Sequence, residues 1–265
     1  MATRTPRASA PKTEVAVVEK AGLPVNIDAL FKQDVEDLRA RLQKPSGDRI
    51  KISNKQFTLP GGAVFDYLNV VIVDAVYANR YYGSSYDKNS IVPPDCFATS
   101  PNPDNLVPSP NSPELQNPSG CAGCPQNVFG SAIVGKGKAC KNRMLLAVLP
   151  TDATPETPFS ILDISPTAVK GFSNYANAVT TALGRPLYGV LTHIECNPQL
   201  KEDVAVFSDP HKLEDSDFIL MLRSRLDEAR QRLMVEPDVS AISAANDPKA
   251  KPLQAPRRAG NVGRR

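Results

Sequence analysis

Phe65-Asp66-Tyr67-Leu68-Asn69-Val70-Val71-Ile72-Val73-Asp74-Ala75-Val76-Tyr77-Ala78-Asn79-Arg80-Tyr81-Tyr82 decides the architecture. Val70, Ile72, Asp74 and Val76 alternate with Val71, Val73, Ala75 and Tyr77, and both sets are largely apolar. That pattern predicts one long strand, or two joined ones, buried on both faces for much of its length. The longest apolar run, Val70 to Ala78, contains Asp74 and falls well short of the roughly 18 residues of a membrane-spanning helix.

Working outward, Arg49–Ile52 and Gln56–Leu59 read as short strands before a Pro60-Gly61-Gly62 turn. Upstream, Asn26 caps an expected helix through Lys44, with Ile27, Leu30, Phe31, Val35, Leu38 and Leu42 at helical spacing. Downstream, Met144–Leu149 and Phe159–Ile164 read as strands. Ser165-Pro166 opens a helix that Gly184 ends. Leu187–Cys196 pairs with Asp203–Phe207, and a last helix runs from Asp215 or Ser216 to about Val235. Short strands interrupted by one long insertion, with helices on either side, predict an α+β domain around a small, strongly bent β-barrel. The domain spans residues 24–237, with the insertion at 95–141. Residues 1–23 and 238–265 lack apolar periodicity and are expected to be disordered tails.

The apolar fraction of 41% is enough for a core, and the mean hydropathy of −0.27 fits a soluble chain. The N-terminus has no apolar segment resembling a secretory signal, which points to the cytoplasm. Net charge is +3, distributed as +3 in residues 1–13 and +5 in residues 239–265, so residues 14–238 carry −5. Basic arms on an acidic body suit nonspecific attraction to nucleic acid.

Cys96, Cys121, Cys124 and Cys140, four of the five cysteines, fall in the insertion. The sequence between Cys96 and Cys121 is rich in Pro, Asn and Ser and reads as almost structureless. A loop of that length in a compact domain calls for something that pins it. Cys121-Ala122-Gly123-Cys124 puts two thiols one tight turn apart, with Gly123 free to take positive φ, and Cys96 and Cys140 flank it. Four sulfurs converging from three segments suit tetrahedral zinc, and the same set serves an iron–sulfur cluster. Cys196, in an apolar strand, reads as a buried inert thiol. His193 and His211 read as structural.

Lys136, Lys138, Lys141 and Arg143 place four positive charges in eight residues, and phosphate is their natural partner. Gly130 to Lys136 fits the first seven positions of a nucleotide-binding P-loop. Gly137 stands where Ser or Thr would hold magnesium, so nucleotide hydrolysis is not expected. Tyr77, Tyr81, Tyr82 and Tyr86 crowd ten residues around Arg80 in a chain with only 6% aromatics. Tyrosine faces stack on unpaired bases, and Arg80 pairs with phosphate or stacks. The competing reading is that alternate tyrosines pack in the core.

The succession Tyr81-Tyr82, Pro93-Pro94-Asp95-Cys96-Phe97, Cys121-Ala122-Gly123-Cys124-Pro125-Gln126-Asn127-Val128-Phe129-Gly130-Ser131 and Gly135-Lys136-Gly137-Lys138-Ala139-Cys140-Lys141-Asn142-Arg143 resembles a phage-encoded group. These are single-stranded-DNA-binding proteins of OB fold, some with a zinc-bearing insertion. The resemblance covers roughly residues 48–235. It implies an OB-like barrel and protection of single-stranded DNA during phage replication or recombination. It also implies no chemistry on the substrate, contacts with replication or recombination proteins, and residence in the host cytoplasm. Many such proteins end in an acidic tail that recruits partners. Here Arg257-Arg258 and Arg264-Arg265 stand in its place. Two other readings stay open. One is a DNA-processing enzyme, a nuclease or iron–sulfur repair protein, with Asp66, Asp74, Asp87 and Asp95 as candidate magnesium ligands. The other is an adaptor whose zinc loop binds protein.

Overall fold

The structure, a computed structural model, describes residues 47–84, 92–133 and 135–239. The expected helix at 26–44, the N-terminal tail, the C-terminal tail beyond residue 239, Tyr86 and Asp87 lie outside the described residues. No helix among the described residues is long and apolar enough to cross a membrane.

The long strand forms as one element, β4 (Tyr67–Tyr81), at the centre of a mixed sheet. Around it lie β1 (Arg49–Ser53), β2 (Gln56–Thr58), β3 (Val64–Phe65), β5 (Cys96–Ser100), β6 (Lys141–Leu149), β7 (Ser160–Ile164), β8 (Val190–Cys196) and β9 (Ala205–Lys212). The order is β3-β2-β1-β7-β6-β4-β8-β9, with β5 pairing β4 on the edge opposite β6. β1 and β7 run parallel and the other pairs antiparallel. The fold is α+β with a strongly curled sheet that forms a half-barrel. A bulge between Ile72 and Asp74 interrupts the β4–β6 register, and bulges sharpen strand bend and twist.

That bulge also corrects the simple alternation. Val70 and Ile72 enter one core, whereas Val76 and Ala78 enter the other, because one extra residue inverts the parity beyond it. Asp74 thereby leaves the first core and pairs with Arg230 at 3.0 Å on the second face. The first face packs Leu68, Val70, Ile72, Met144, Leu146 and Val148 against α1 (Pro166–Ala178), through Ala168, Phe172 and Tyr175. The Tyr175 hydroxyl and Thr192 Oγ1 lie 2.8 Å apart in that core. Val179–Leu183 continues α1 as a π-helical turn, and Gly184 ends it at φ 61°. The second face packs Val71, Val76, Leu145, Ala147 and Leu149 against Leu222 of α2 (Ser216–Ser224), and Ala229 and Leu233 of α3 (Leu226–Leu233).

The single C-terminal helix of the sequence reading is two helices broken at Arg225. Arg225 is 7% exposed. Its guanidinium donates to the carbonyls of Thr154 and Thr157 at 3.3 and 2.8 Å, grips Glu228, and lies 4.3 Å from the Phe159 ring centroid. The bond from Arg225 holds the Glu228 carboxyl below its ordinary range. Arg225→Ala removes a nearly buried guanidinium, its pair with Glu228, its bonds to two carbonyls and its packing on Phe159, so it is expected to cost roughly 2 kcal/mol, readable in urea unfolding. β9 reaches beyond its expected end, to Lys212. Pro210 is tolerated there because β9 is an edge strand.

Candidate metal centre and nucleic-acid interface

The stretch after Cys96 is less structureless than its composition suggests. Cys96–Ser100 is β5, with Cys96 opposite Tyr81 and Phe97 opposite Arg80. The chain then folds back, and Ser109 N–H donates to the Phe97 carbonyl at 2.8 Å. Cys121 N–H donates to Leu106 at 2.9 Å, and Cys124 N–H to the Cys121 carbonyl at 3.3 Å. Pro125–Asn127 follows as a 3-10 turn, and the Asn127 amide closes it on the Cys121 carbonyl at 2.9 Å. Cys140 N–H donates to Gln126 at 2.8 Å, which carries the fourth thiol back to this turn. The glycine with positive φ here is Gly120, at 137°, and not Gly123.

Cys96, Cys121, Cys124 and Cys140 thereby line one cavity of about 20 Å³, together with Asn79 and Tyr81. All four are buried free thiols. Burial pushes the Cys140 thiol up to about 12, and Cys121, Cys124 and Cys96 add to the shift. Burial likewise raises Cys121, and the neighbouring Asn79 amide opposes the shift. Burial thus favours the neutral thiol at Cys121 and Cys140. Among the described residues, no three Cys, His, Asp or Glu side chains stand at metal-holding spacing. The cavity lining offers four thiols and no carboxylate or imidazole, a donor set that suits a thiophilic ion. Cys196 is buried elsewhere, in the first core, and burial raises its thiol too.

On the opposite face of the same strand end lies a cluster of arginines. Arg80 and Arg143 reach Asp163 of β7 at 3.2 and 2.6 Å, and Arg49 of β1 reaches it at 3.4 Å. Three guanidiniums surround one carboxylate. Burial, then repulsion from Arg80, lowers the Arg49 guanidinium below its ordinary value, though it remains charged at neutral pH. Lys141 stands directly across from Arg80 in the ladder. Its Nζ donates to the Lys138 carbonyl at 3.0 Å, which joins the arginine face to the lysine loop. Lys138 Nζ bonds Asn127 Oδ1 at 3.1 Å and lies 5.2 Å from the Phe129 ring centroid. Phe129 is 77% exposed, and Lys136 is exposed nearby in sequence. A strand, β6, follows this loop, where a P-loop would lead into a helix.

The candidate residues are therefore divided. Arg80, only 13% exposed, and Arg143 meet on Asp163, while Lys141, across from Arg80 in the ladder, reaches the Lys138 carbonyl. Tyr77 turns to the other face and packs against the first core. Tyr81 lines the thiol cavity, and Tyr82 is half-buried. Sequence reading missed Arg49, Asp163, Asn79 and Phe129. An aromatic residue in a polar, lysine-bearing loop is a signal that could have found Phe129. The others depend on strand pairing between distant segments. The candidate carboxylates are scattered. Asp66 accepts from Gln56, Asp74 pairs with Arg230, and Asp95 accepts from Gly83 N–H. His193 bonds Asn69 at 2.8 Å and stacks on Tyr67 at 5.0 Å, while His211 pairs with Asp209 at 3.1 Å.

Comparison of the chain with family models, curated proteins and solved structures gives no match.

Proposed function

We propose that this chain binds and protects single-stranded DNA in phage replication or recombination, without chemistry on the strand. The reading takes the curled sheet as an OB-like barrel and the cysteine cavity as a Cys₄ zinc site. The observation that carries it is the excess positive charge of three arginines on one carboxylate, linked through Lys141 to the loop that bears Lys138 and the exposed Phe129. Cations track the phosphates, and a ring on a cationic loop offers a face to an unpaired base. Phe129 takes over the stacking role that the sequence assigns to tyrosine. Zinc would hold Cys96, Cys121, Cys124 and Cys140 together, fixing the loop that carries Phe129, Lys136 and Lys138.

Fluorescent oligo-dT should bind the full chain with affinity falling steeply as salt rises, and duplex of the same length should bind less tightly. Phe129→Ala is expected to weaken oligo-dT binding about 10-fold, within the roughly 1–3 kcal/mol of one stacked base. Lys136→Ala with Lys138→Ala should flatten the salt dependence. Equal binding of duplex and single strand by wild type and Phe129→Ala would remove stacking from the account. A second reading, an adaptor for replication or recombination proteins, draws on the exposed Val128, Phe129 and Ile133. Absence of oligo-dT binding at low salt would favour it. Cleavage of labelled DNA with Mg²⁺, or a brown colour, would favour the DNA-processing alternative.

A further inference from the structure

Asn79 is 3% exposed, and its Nδ2 is a buried donor with no hydrogen-bond partner. Such orphans are rare in folded proteins and call for an explanation. Its Oδ1 is taken by Asn142 Nδ2 at 2.7 Å, across the β4–β6 ladder where the two residues are direct partners. That bond leaves the other end of the amide to the wall of the cavity lined by the four cysteines. A neutral thiol is a weak acceptor there, and a metal-bound thiolate a strong one.

We propose that Asn79 is a positioning residue of the metal centre, its Nδ2–H donating to the Cys121 sulfur when a cation has displaced the thiol proton. This rests on the zinc reading above. The physical sense is that outer donors orient a ligand and lower its charge, and losing one typically costs metal affinity about 10–100-fold. There is a second consequence. Asn79 precedes Arg80, and Asn142 precedes Arg143, so side chains alternate between the two faces at the same place in the ladder. The Asn79–Asn142 pair ties the metal side of the sheet to the register that sets out the arginines on the other side.

The test loads the full chain with Zn²⁺ against a chromophoric chelator, and with Co²⁺ for its sulfur-to-metal absorption. Asn79→Ala and the isosteric Asn79→Asp should each lose at least about 10-fold in Zn²⁺ affinity and shift the Co²⁺ band. Wild type gives a measurement that needs no variant. Its Asn79 side-chain amide proton signal should move downfield and exchange more slowly on Zn²⁺ uptake. Wild type that takes up no metal sinks the zinc reading and this one with it. Wild type that loads one ion, with an unmoved Asn79 amide or with variants that load as tightly, sinks the assignment of Asn79 alone.

Discussion

If zinc holds the four thiols as proposed, the chain should bind one Zn²⁺, and chelation, or replacing Cys121 and Cys124 with Ser, should lower the melting temperature by about 8–16 °C. The size follows from linkage. A ligand present at about 1,000 times its dissociation constant stabilises the native state by about 4 kcal/mol, and for a domain of this size each kcal/mol moves the midpoint by about 2–4 °C. The two hydrophobic cores contain none of the four cavity cysteines. The stripped protein should therefore keep its sheet and α1, visible as an unchanged far-ultraviolet spectrum. What it loses is the excursion from Pro101 to Cys140, held here by turns and a few backbone bonds. Oligo-dT affinity should fall with it, since Phe129, Lys136 and Lys138 all ride on that loop. A chelated protein that melts and binds as before would mean that no ion fastens the loop.

How much of this was legible in the sequence depended on range. β4 and α1 announce themselves because their signals are local: β-branched alternation in one, Ser165-Pro166 and Gly184 as punctuation in the other. Even so, Ser165 Oγ makes no capping bond and is buried without a partner, so the position was legible and the bonding was not. β5 was missed because Cys96-Phe97-Ala98-Thr99-Ser100, set between prolines, is too short to alternate convincingly. Its strand character comes from pairing with β4. The bulge at Ile72–Asp74 is invisible to a period-2 count, yet it decides which core receives Val76. Cysteine spacing led the sequence reading to set four sulfurs around one ion; in the structure the four line one cavity, without three of them at metal-holding spacing. The arginine cluster was only half legible. Arg80 and Arg143 stood out beside tyrosines and lysines, whereas Arg49 and Asp163 join them through the β1–β7–β6–β4 order.

That cluster supports the last expectation. Arg80→Ala with Arg143→Ala should weaken oligo-dT binding about 100-fold, taking each charged hydrogen bond to phosphate at roughly 1.5 kcal/mol. The slope of log affinity against log salt should become less negative by about 1.4, from about 0.7 per phosphate contact on a single strand. The double variant also strips Asp163, only 16% exposed, of two of its three partners. Lost stability could therefore be mistaken for lost contact. Adding Asp163→Asn separates the two effects. Without the carboxylate there is no buried charge left to compensate, so the triple variant should regain stability in urea unfolding. Its affinity and salt slope should stay as low as those of the double variant, because the phosphate ligands are still missing. Asp163→Asn alone has the opposite signature: reduced stability, as three guanidiniums repel one another, with the full salt dependence kept. A folded triple variant with wild-type affinity and slope would show that the arginines serve the sheet and not the strand.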